Sequence, residues 1–189
     1  MGKNTPFVKL MKQIKVLISH PNFSNSVMNK HLAEALEKFE HISVRHLDKV
    51  VHKGKFDLEA EKIVLRDADA IVWQFPIYWY NSPASLRDWQ DQVMSPIVYS
   101  ADNFLKGKPV QVIFTAGAGE KEYSHEGLNR YTAEEMLRPF EMTANAAGMI
   151  WKKPLGFYGC SPDMTKDALD KAAKEYIQAM EGLTINSEK

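Results

Sequence analysis

The residues with the clearest chemical potential lie in one aromatic segment, 74–80 (QFPIYWY). This segment follows the apolar run 70–73, so it begins where a buried strand is expected to end. Its aromatic residues are Phe75, Tyr78, Trp79 and Tyr80. They surround Pro76, which fixes the local backbone. Aromatic side chains beside a rigid backbone form a flat apolar wall that suits a planar ring. We therefore expect a bound flavin at this segment.

A polar segment, 20–26 (HPNFSNS), leads directly into a predicted helix. The first N–H groups of a helix lack partners within it, and the helix dipole is positive there, so this end attracts anions. The candidate phosphate ligands are the side chain of His20, the hydroxyls of Ser24 and Ser26, and the amides of Ser26, Val27 and Met28. The same segment also suits an ordinary helix cap, because serine and asparagine are favoured at that position.

A third segment, 115–119 (TAGAG), follows another predicted strand. Small residues let a backbone approach a ligand closely, and Gly117 and Gly119 tolerate a positive φ. The amides of Gly117 and Ala118 are candidates to face a ring that gains negative charge, as a reduced flavin does. A glycine-rich surface turn is the alternative interpretation. No GxGxxG pattern follows the first strand, so a Rossmann dinucleotide fold is not predicted.

Composition narrows the class of protein. The chain has 189 residues, 44% hydrophobic and 25% charged, as expected for one globular domain. Its 24 basic and 24 acidic side chains balance, so we expect neither nucleic acid nor anionic lipid as a partner. The lone cysteine, Cys160, suits a reducing compartment and a cytoplasmic location. No apolar run suits a signal peptide or a membrane span, and the histidines lack the spacing of a metal site.

Hydrophobic periodicity predicts strands that alternate with helices. The predicted strands are 14–18, 42–47, 70–75, 110–114 and 149–158, the last one broken by Pro154. The predicted helices are 26–39, 58–68, 83–93, 132–147 and 165–180. Such alternation favours an α/β sandwich of three layers, a parallel sheet with helices on both faces. The domain is predicted at 14–182, between an N-terminal tail at 1–13 and a C-terminal tail at 183–189. Because parallel sheets bind ligands at the carboxyl ends of their strands, the three segments described above should converge there.

Taken together, these segments resemble the flavodoxin-like NAD(P)H:quinone oxidoreductases. The matching residues are 20–26, 74–80 with Pro83 and Trp89, and 115–117 with Tyr123 and Gly127. The resemblance is strongest to a short bacterial branch, which includes general-stress flavoproteins and ancillary subunits of glutathione-gated potassium efflux systems. It implies a five-stranded parallel sheet in the order 2-1-3-4-5.

The resemblance also implies roles for individual residues. The residues that it implies for cofactor binding are His20, Ser26, Val27, Met28, Pro76, Ile77, Tyr78, Trp79, Tyr80, Thr115, Ala116, Gly117, Ala118 and Tyr123. The first of the three segments would hold the flavin phosphate, and Pro76 and Ile77 would line the ring. The amides of Trp79 and Tyr80 would face flavin N5 and O4. The amides of Gly117 and Ala118 would face O2.

By the same resemblance, Tyr123 corresponds to a tyrosine near the ring edge that stabilises charge during hydride transfer. In the mammalian enzymes a histidine partners this tyrosine. The corresponding position here is Asn129, with His125 nearby. Tyr123 is therefore expected to act alone or with His125.

The activity that the resemblance implies is a two-electron ping-pong reaction. NAD(P)H delivers hydride to flavin N5 and leaves, after which a quinone or similar acceptor takes both electrons as hydride. FMN is favoured over FAD because the chain is short, and a homodimer is expected, with Tyr78 and Tyr80 near the interface. Two alternatives stay open: a flavin-binding regulatory subunit of a potassium efflux membrane protein, and a reductase of azo or nitro compounds.

Overall fold

A computed structural model describes residues 12–184. Its centre is a five-stranded sheet in the order β2-β1-β3-β4-β5, with every neighbouring pair parallel. The strands are β1 (Ile14–Ile18), β2 (Ile42–His46), β3 (Ala70–Pro76), β4 (Pro109–Thr115) and β5 (Ile150–Phe157). The central strands β1 and β3 are buried throughout, which explains why their sequences are apolar except for Lys15 and Gln74. The predicted fold class and strand order are confirmed.

Helices cover both faces of this sheet. They are α1 (Val27–Glu34), α2 (Leu47–Val50), α3 (Leu58–Arg66), α4 (Ala84–Trp89), α5 (Ser95–Val98), α6 (Ala133–Met136), α7 (Arg138–Ala146) and α8 (Lys166–Thr184). A π-helical segment, Gln90–Met94, joins α4 to α5, and short 3₁₀ segments lie at Phe23–Asn25 and Glu120–Glu122. Helices α1 and α8 pack on one face around Val16 and Val72, while α3, α4 and α7 pack on the other around Trp73.

Several elements differ from the sequence-based prediction, including the helix predicted at 83–93, which becomes π-helical at Gln90. Helix α1 ends at Glu34 and turns follow it. The helix predicted at 132–147 is divided at Leu137, whose backbone lies at φ −86° and ψ 1°, because Pro139 has no N–H to continue the ladder. Strand β5 continues through Pro154 instead of breaking there. It is an edge strand, where proline is tolerated, and its register against β4 shifts between Gln111 and Ile113.

The described region, residues 12–184, contains the whole of the predicted domain, 14–182. Most of the predicted tails, residues 1–11 and 185–189, lies outside the described residues. Helix α8 includes residues 183 and 184, which the sequence assigned to the C-terminal tail, because Leu183 is buried against the core. Within residues 12–184, none of the helices combines the length and apolar character needed to cross a bilayer.

Candidate functional site

A cleft of about 200 Å³ lies at the carboxyl ends of the strands. The loops after β1, β3 and β4 all contribute to it, as the sequence predicts, and the loop after β5 closes its fourth side. From the first loop come His20, Ser26, Val27 and Met28, together with Asn25 and Asn29. From the second and third loops come Pro76, Ile77, Tyr78, Thr115, Ala116 and Gly117. Most of the predicted cofactor residues therefore share one cavity.

The start of α1 forms one wall of this cleft. Ser26 is the N-cap residue, and its Oγ accepts a hydrogen bond from the backbone N–H of Asn29 at 3.2 Å. The first turn contains no acidic residue, so the positive end of the helix dipole is not neutralised there. Ser24, the other predicted hydroxyl ligand, is exposed and does not line the cleft. The groups of this loop that remain as candidates for binding a phosphate are therefore the Ser26 cap and the amides of the first turn of α1.

His20 lies beside this cap as a neutral imidazole. Its backbone N–H donates to Asp48 Oδ2 at 2.7 Å, and its Nδ1 accepts the backbone N–H of Asn22 at 3.2 Å. Burial lowers the pKa of His20, although the charge of Asp48 opposes that shift. Because Nδ1 is an acceptor, the ring proton is on Nε2. His20 can therefore offer one neutral N–H donor to a ligand.

The aromatic segment turns back on itself after Pro76. Tyr78 and Asn81 pair with each other through two backbone hydrogen bonds of 2.9 and 3.1 Å. Between them Trp79 and Tyr80 both have positive φ, at 46° and 64°, which is a strained conformation for large side chains. Trp79 is 93% exposed, so burial of its ring does not account for this conformation. Neither residue lines the cleft. The turn lies next to it, directly after Tyr78.

The loop after β4 is held by the loop after β5. The N–H of Ala116 donates to Phe157 O at 2.8 Å, and its carbonyl accepts the N–H of Cys160 at 2.9 Å. Ala118 lies just outside the cleft, where its carbonyl accepts the N–H of Gly159 at 3.0 Å. Gly117 and Gly119 tolerate a positive φ but do not adopt one here, whereas Gly159 has φ +65°.

The loop after β5 also contributes to the cleft, which was not predicted from the sequence. Cys160, Ser161 and Pro162 line the cleft, although their composition is that of an ordinary turn. The available signal was topological, because the carboxyl end of every parallel strand reaches the same rim of the sheet. Burial raises the pKa of Cys160, so its thiol is protonated at neutral pH.

A second cavity, of about 450 Å³, contains the predicted catalytic tyrosine. Its lining residues are Tyr80, Tyr123, Leu128, Asn129, Tyr131, Glu135 and Met136. Burial raises the pKa of Tyr123, and Tyr80 adds to the shift, so the phenol stays protonated as a hydrogen-bond donor. Asn129 pairs with Tyr80, whose hydroxyl donates to Asn129 Oδ1 at 3.1 Å. This cavity thus joins the aromatic turn to the loop that follows β4.

His125 does not line this second cavity, but it contacts Glu135, which does. Its side chain is 68% exposed, and its Nε2 is 2.9 Å from Glu135 Oε2. The same carboxylate accepts the backbone N–H of Thr132 at 2.8 Å in a capping box. These hydrogen bonds, first that from Thr132 and then that from His125, lower the pKa of Glu135 to about 2. The observed partner of His125 is therefore the carboxylate of Glu135. Over residues 12–184, no cluster of three or more His, Cys, Asp or Glu side chains is placed to hold a metal ion.

Comparison with known proteins agrees with this geometry. The sequence profile of a family described as having a flavodoxin-like fold matches residues 12–180. The chain belongs to this flavodoxin-like family. Its resemblance to that family, noted from the sequence, is confirmed.

Two relatives of this flavodoxin-like chain show which branch it is close to. General stress protein 14 of Bacillus subtilis is 38% identical over 170 residues, which cover 88% of this chain and 97% of the relative. The glutathione-regulated potassium-efflux system ancillary protein KefG of Cronobacter sakazakii is 37% identical over 150 residues, covering 77% of this chain and 80% of the relative. Both relatives are proteins of the kinds that the sequence resemblance named, a general stress protein and an ancillary protein of a potassium-efflux system.

Two solved structures have the same architecture. General stress protein 14 from Treponema denticola, crystallised in complex with FMN, superposes with a TM-score of 0.84 at 30% identity, covering 90% of this chain and 99% of that one. An NADPH-quinone reductase from P. pentosaceus superposes with a TM-score of 0.80 at 25% identity, covering 92% and 98% of the two chains. The flavodoxin-like chain therefore matches these proteins over nearly their whole length.

The family assignment explains where the cleft lies in the sheet. In flavodoxin-like sheets the strand order reverses between β1 and β3, and ligands bind at that switch point. The loops after β1 and β3 form two walls of the cleft observed in this flavodoxin-like protein. The candidate site therefore lies where the topology of the family places it.

Proposed function

We propose that this protein is a flavin-dependent NAD(P)H:quinone oxidoreductase that binds FMN in the cleft. The observation that carries the proposal is the arrangement of that cleft, in which a serine-capped, acid-free helix start opposes Pro76 and the backbone of Gly117. A phosphate suits the first wall, and an apolar ring suits the second. The FMN complex of the similar protein from Treponema denticola supports this choice of cofactor.

The donors at the start of α1 fit the phosphate of FMN. The amides of Val27 and Met28 belong to the first turn, whose N–H groups have no carbonyl partner within the helix. The hydroxyl of Ser26 and the neutral Nε2–H of His20 add two further donors. We assign these groups to the phosphate, since all of them are neutral or positive in character and none adds an opposing charge.

The remaining walls fit the ring system. A Cβ on Gly117 would meet only the carbonyl oxygen of Cys160, at 3.8 Å, so the backbone at this glycine stays open to a ligand. The cleft holds about 200 Å³, less than the roughly 300–1,000 Å³ typical of ligand pockets. A bound FMN would therefore extend from it toward the adjacent turn. We propose that Pro76 and Ile77 contact the ring and that the amides of Trp79, Tyr80, Gly117 and Ala118 donate to its polar edge.

Bound FMN would supply the redox centre that takes hydride from NAD(P)H and passes it on to an acceptor. We propose that the phenol of Tyr123, in the second cavity, donates a hydrogen bond to the edge of the bound ring and so stabilises the charge that changes there during hydride transfer. A pKa raised by burial keeps the phenolic proton in place. His125 bonds to Glu135, which lines the same cavity as Tyr123, and we propose that Tyr123 acts alone or with this histidine.

We also propose that two copies of the chain pair over the aromatic turn. Trp79, Leu128 and Tyr131 are exposed large apolar side chains at or beside the second cavity, and such groups favour interfaces. Light scattering should give a mass near twice the 21.5 kDa of one chain. The same measurement on Trp79→Ser should show more monomer. The cytoplasm is the compartment that we propose, because a single cysteine suits a reducing environment.

A second candidate function follows from the similarity to KefG. That relative is named as an ancillary protein of a potassium-efflux system, so a regulatory role on a membrane efflux protein is the alternative. Co-purification with a potassium efflux protein from the same cell would favour it. Flavin reduction at the same site is compatible with either role.

The decisive experiment uses the purified protein and its visible spectrum. We expect a yellow preparation whose flavin absorbance bleaches with NADPH or NADH under anaerobic conditions and returns when benzoquinone is added. An azo dye and a nitroaromatic compound, supplied as acceptors in parallel, separate quinone reduction from the alternative acceptors. A flavin that neither nucleotide bleaches would remove the oxidoreductase proposal and leave only flavin binding.

A further inference from the structure

A buried chain of hydrogen bonds runs beneath the cleft from α8 to the cap of α1. The hydroxyl of Tyr176 on α8 donates to Gln74 Oε1 at 2.6 Å. Gln74 Nε2 in turn donates to Asn29 Oδ1 at 3.2 Å. Asn29 Nδ2 then donates to Thr115 Oγ1 at 2.8 Å and to Ser26 Oγ at 3.3 Å. Two helices and two strands are therefore connected through side chains alone.

The burial of these groups shows that the hydrogen bonds are required. Tyr176 and Gln74 have no exposed surface, and Asn29 is 2% exposed. Amides and hydroxyls so far from water destabilise a protein unless every one of them finds a partner. Gln74 also interrupts the apolar sequence of the central strand β3, where packing alone would favour a hydrophobic residue. A structural benefit elsewhere must offset the cost of placing a polar side chain there.

The chain has a fixed direction. The backbone carbonyl of Asn29 accepts from Gln74 Nε2 at 3.4 Å, and a carbonyl can only accept, so the amide of Gln74 has one orientation. Its Oε1 then faces Tyr176, whose pKa is raised by burial and whose proton is therefore retained as the donor. The amide of Asn29 is oriented in turn, with its NH₂ group toward Ser26 and Thr115.

This direction determines what the two hydroxyls can offer to the cleft. Ser26 Oγ accepts twice, from the backbone N–H and from the side-chain amide of Asn29. Both of its lone pairs are used, so its own proton is left to donate elsewhere. Thr115 Oγ1 likewise accepts from Asn29. Because both residues line the cleft, both are prepared to donate to an anion.

We propose that Tyr176 is a positioning residue for the phosphate of FMN, acting through Gln74 and Asn29 to keep the hydroxyls of Ser26 and Thr115 as donors into the cleft. This inference rests on the proposed function, because it takes FMN as the ligand. It adds that the recognition of the phosphate depends on a residue of the C-terminal helix that does not line the cleft.

The test compares two flavins that differ only in the phosphate. The apoprotein is titrated with FMN and with riboflavin, and the quenching of flavin fluorescence gives both dissociation constants. Tyr176→Phe removes the first donor of the chain. We expect it to weaken FMN binding by about three- to tenfold, the size of one hydrogen bond, and to leave riboflavin binding unchanged. An equal loss for both flavins, or none for FMN, would overturn the inference.

A double-mutant comparison tests the route. Gln74→Met cuts the chain in its middle, and we expect the same selective loss of FMN affinity. Adding Tyr176→Phe to Gln74→Met should then have no further effect, because the two residues act in series. Additive losses would show that Tyr176 acts by another route and would contradict the inference.

Trp89→Phe is the matched control for general destabilisation. Trp89 Nε1 donates to the buried Glu61 at 3.0 Å in a separate network, so this variant loses one buried hydrogen bond away from the cleft. The ratio of FMN to riboflavin affinity should not change in it.

If Tyr176→Phe does not fold, Asn29→Ala gives the same comparison, since alanine suits a helix interior. A wild-type protein that binds neither flavin would reject the proposed function itself, a result distinct from any of these.

Discussion

The hydroxyl of Tyr80 donates to Asn129 Oδ1 at 3.1 Å, and this bond ties the aromatic turn to the loop that carries Tyr123. The family resemblance implies that Asn129 stands where the mammalian enzymes have the histidine that partners the tyrosine. In the structure, the amide oxygen of Asn129 accepts the hydrogen bond from the Tyr80 hydroxyl. Tyr123 therefore stands without that partner, and its own phenol is the donor on which the proposed chemistry at the second cavity depends.

Tyr123→Phe is expected to slow flavin reduction much more than it weakens flavin binding. The phenol donates where charge changes during hydride transfer, and such a bond is worth about 10- to 100-fold in rate. Stopped-flow reduction by NADPH gives the rate, and fluorescence titration gives the FMN affinity. Tyr158→Phe is the control, because the Tyr158 ring packs against Tyr123 with centroids 5.4 Å apart yet does not line the second cavity. Equal rates in the two variants would contradict the role of Tyr123.

Ser26→Glu is expected to expel FMN. A carboxylate at the cap would lie beside the phosphate, and repulsion between like charges at such a distance lowers affinity by at least about 100-fold. Riboflavin, which has no phosphate, should lose much less. Ser24→Glu places the same charge in the same loop at an exposed position outside the cleft, and it should change FMN affinity only weakly. Full flavin content in Ser26→Glu would mean that the phosphate binds elsewhere.

The sequence was a sufficient guide to the fold because the signals were strong and local. The runs 14–18 and 70–75 are apolar except for Lys15 and Gln74, and the structure buries both runs inside a parallel sheet. Three loops of unusual composition then met at the rim that the topology requires. The break at Leu137 was harder to foresee, since it depends on how Pro139 can join two helices.

The less predictable parts of the site depend on contacts between distant residues. Nothing in the local sequence at Tyr176 or Gln74 indicates that they bond across 102 positions. The cleft wall at Cys160 is likewise set by its backbone bond to Ala116. The open backbone at Gly117 and Gly119 could be anticipated from their lack of a side chain, but the positive φ of Gly159 in the neighbouring loop could not.

Glu135→Gln tests the carboxylate that holds His125 and Thr132. Hydrogen bonds lower the pKa of Glu135 from 4.5 to about 2, so the folded state favours the ionised form. The stabilisation is present above about pH 4.5 and is lost as the pH falls from there toward 2. Thermal unfolding should show wild type above the variant at pH 7, with the difference shrinking below pH 4.5. Glu134→Gln, on the same first turn but outside the capping box, is the control. A difference that does not change with pH would contradict this account.

The turn at Trp79 allows backbone geometry to be separated from side-chain contact. Its φ of 46° is unfavourable for tryptophan, tolerated by asparagine and most unfavourable for a β-branched residue. Measured on the dissociated single chain, where the proposed pairing does not contribute, Trp79→Asn should therefore raise the unfolding midpoint by about 2–4 °C, which corresponds to a gain of about 1 kcal/mol, whereas Trp79→Val should lower it. The proposed contribution of Trp79 to FMN binding is its N–H, so the asparagine variant should keep FMN affinity within about twofold of wild type. The valine variant should lose about fivefold or more, because restoring the turn costs it at least about 1 kcal/mol. Both variants lack the indole, so an equal loss of FMN affinity in the two would show that the side chain, and not the turn, contacts the flavin. Wild-type affinity in both would contradict the proposed role of the turn.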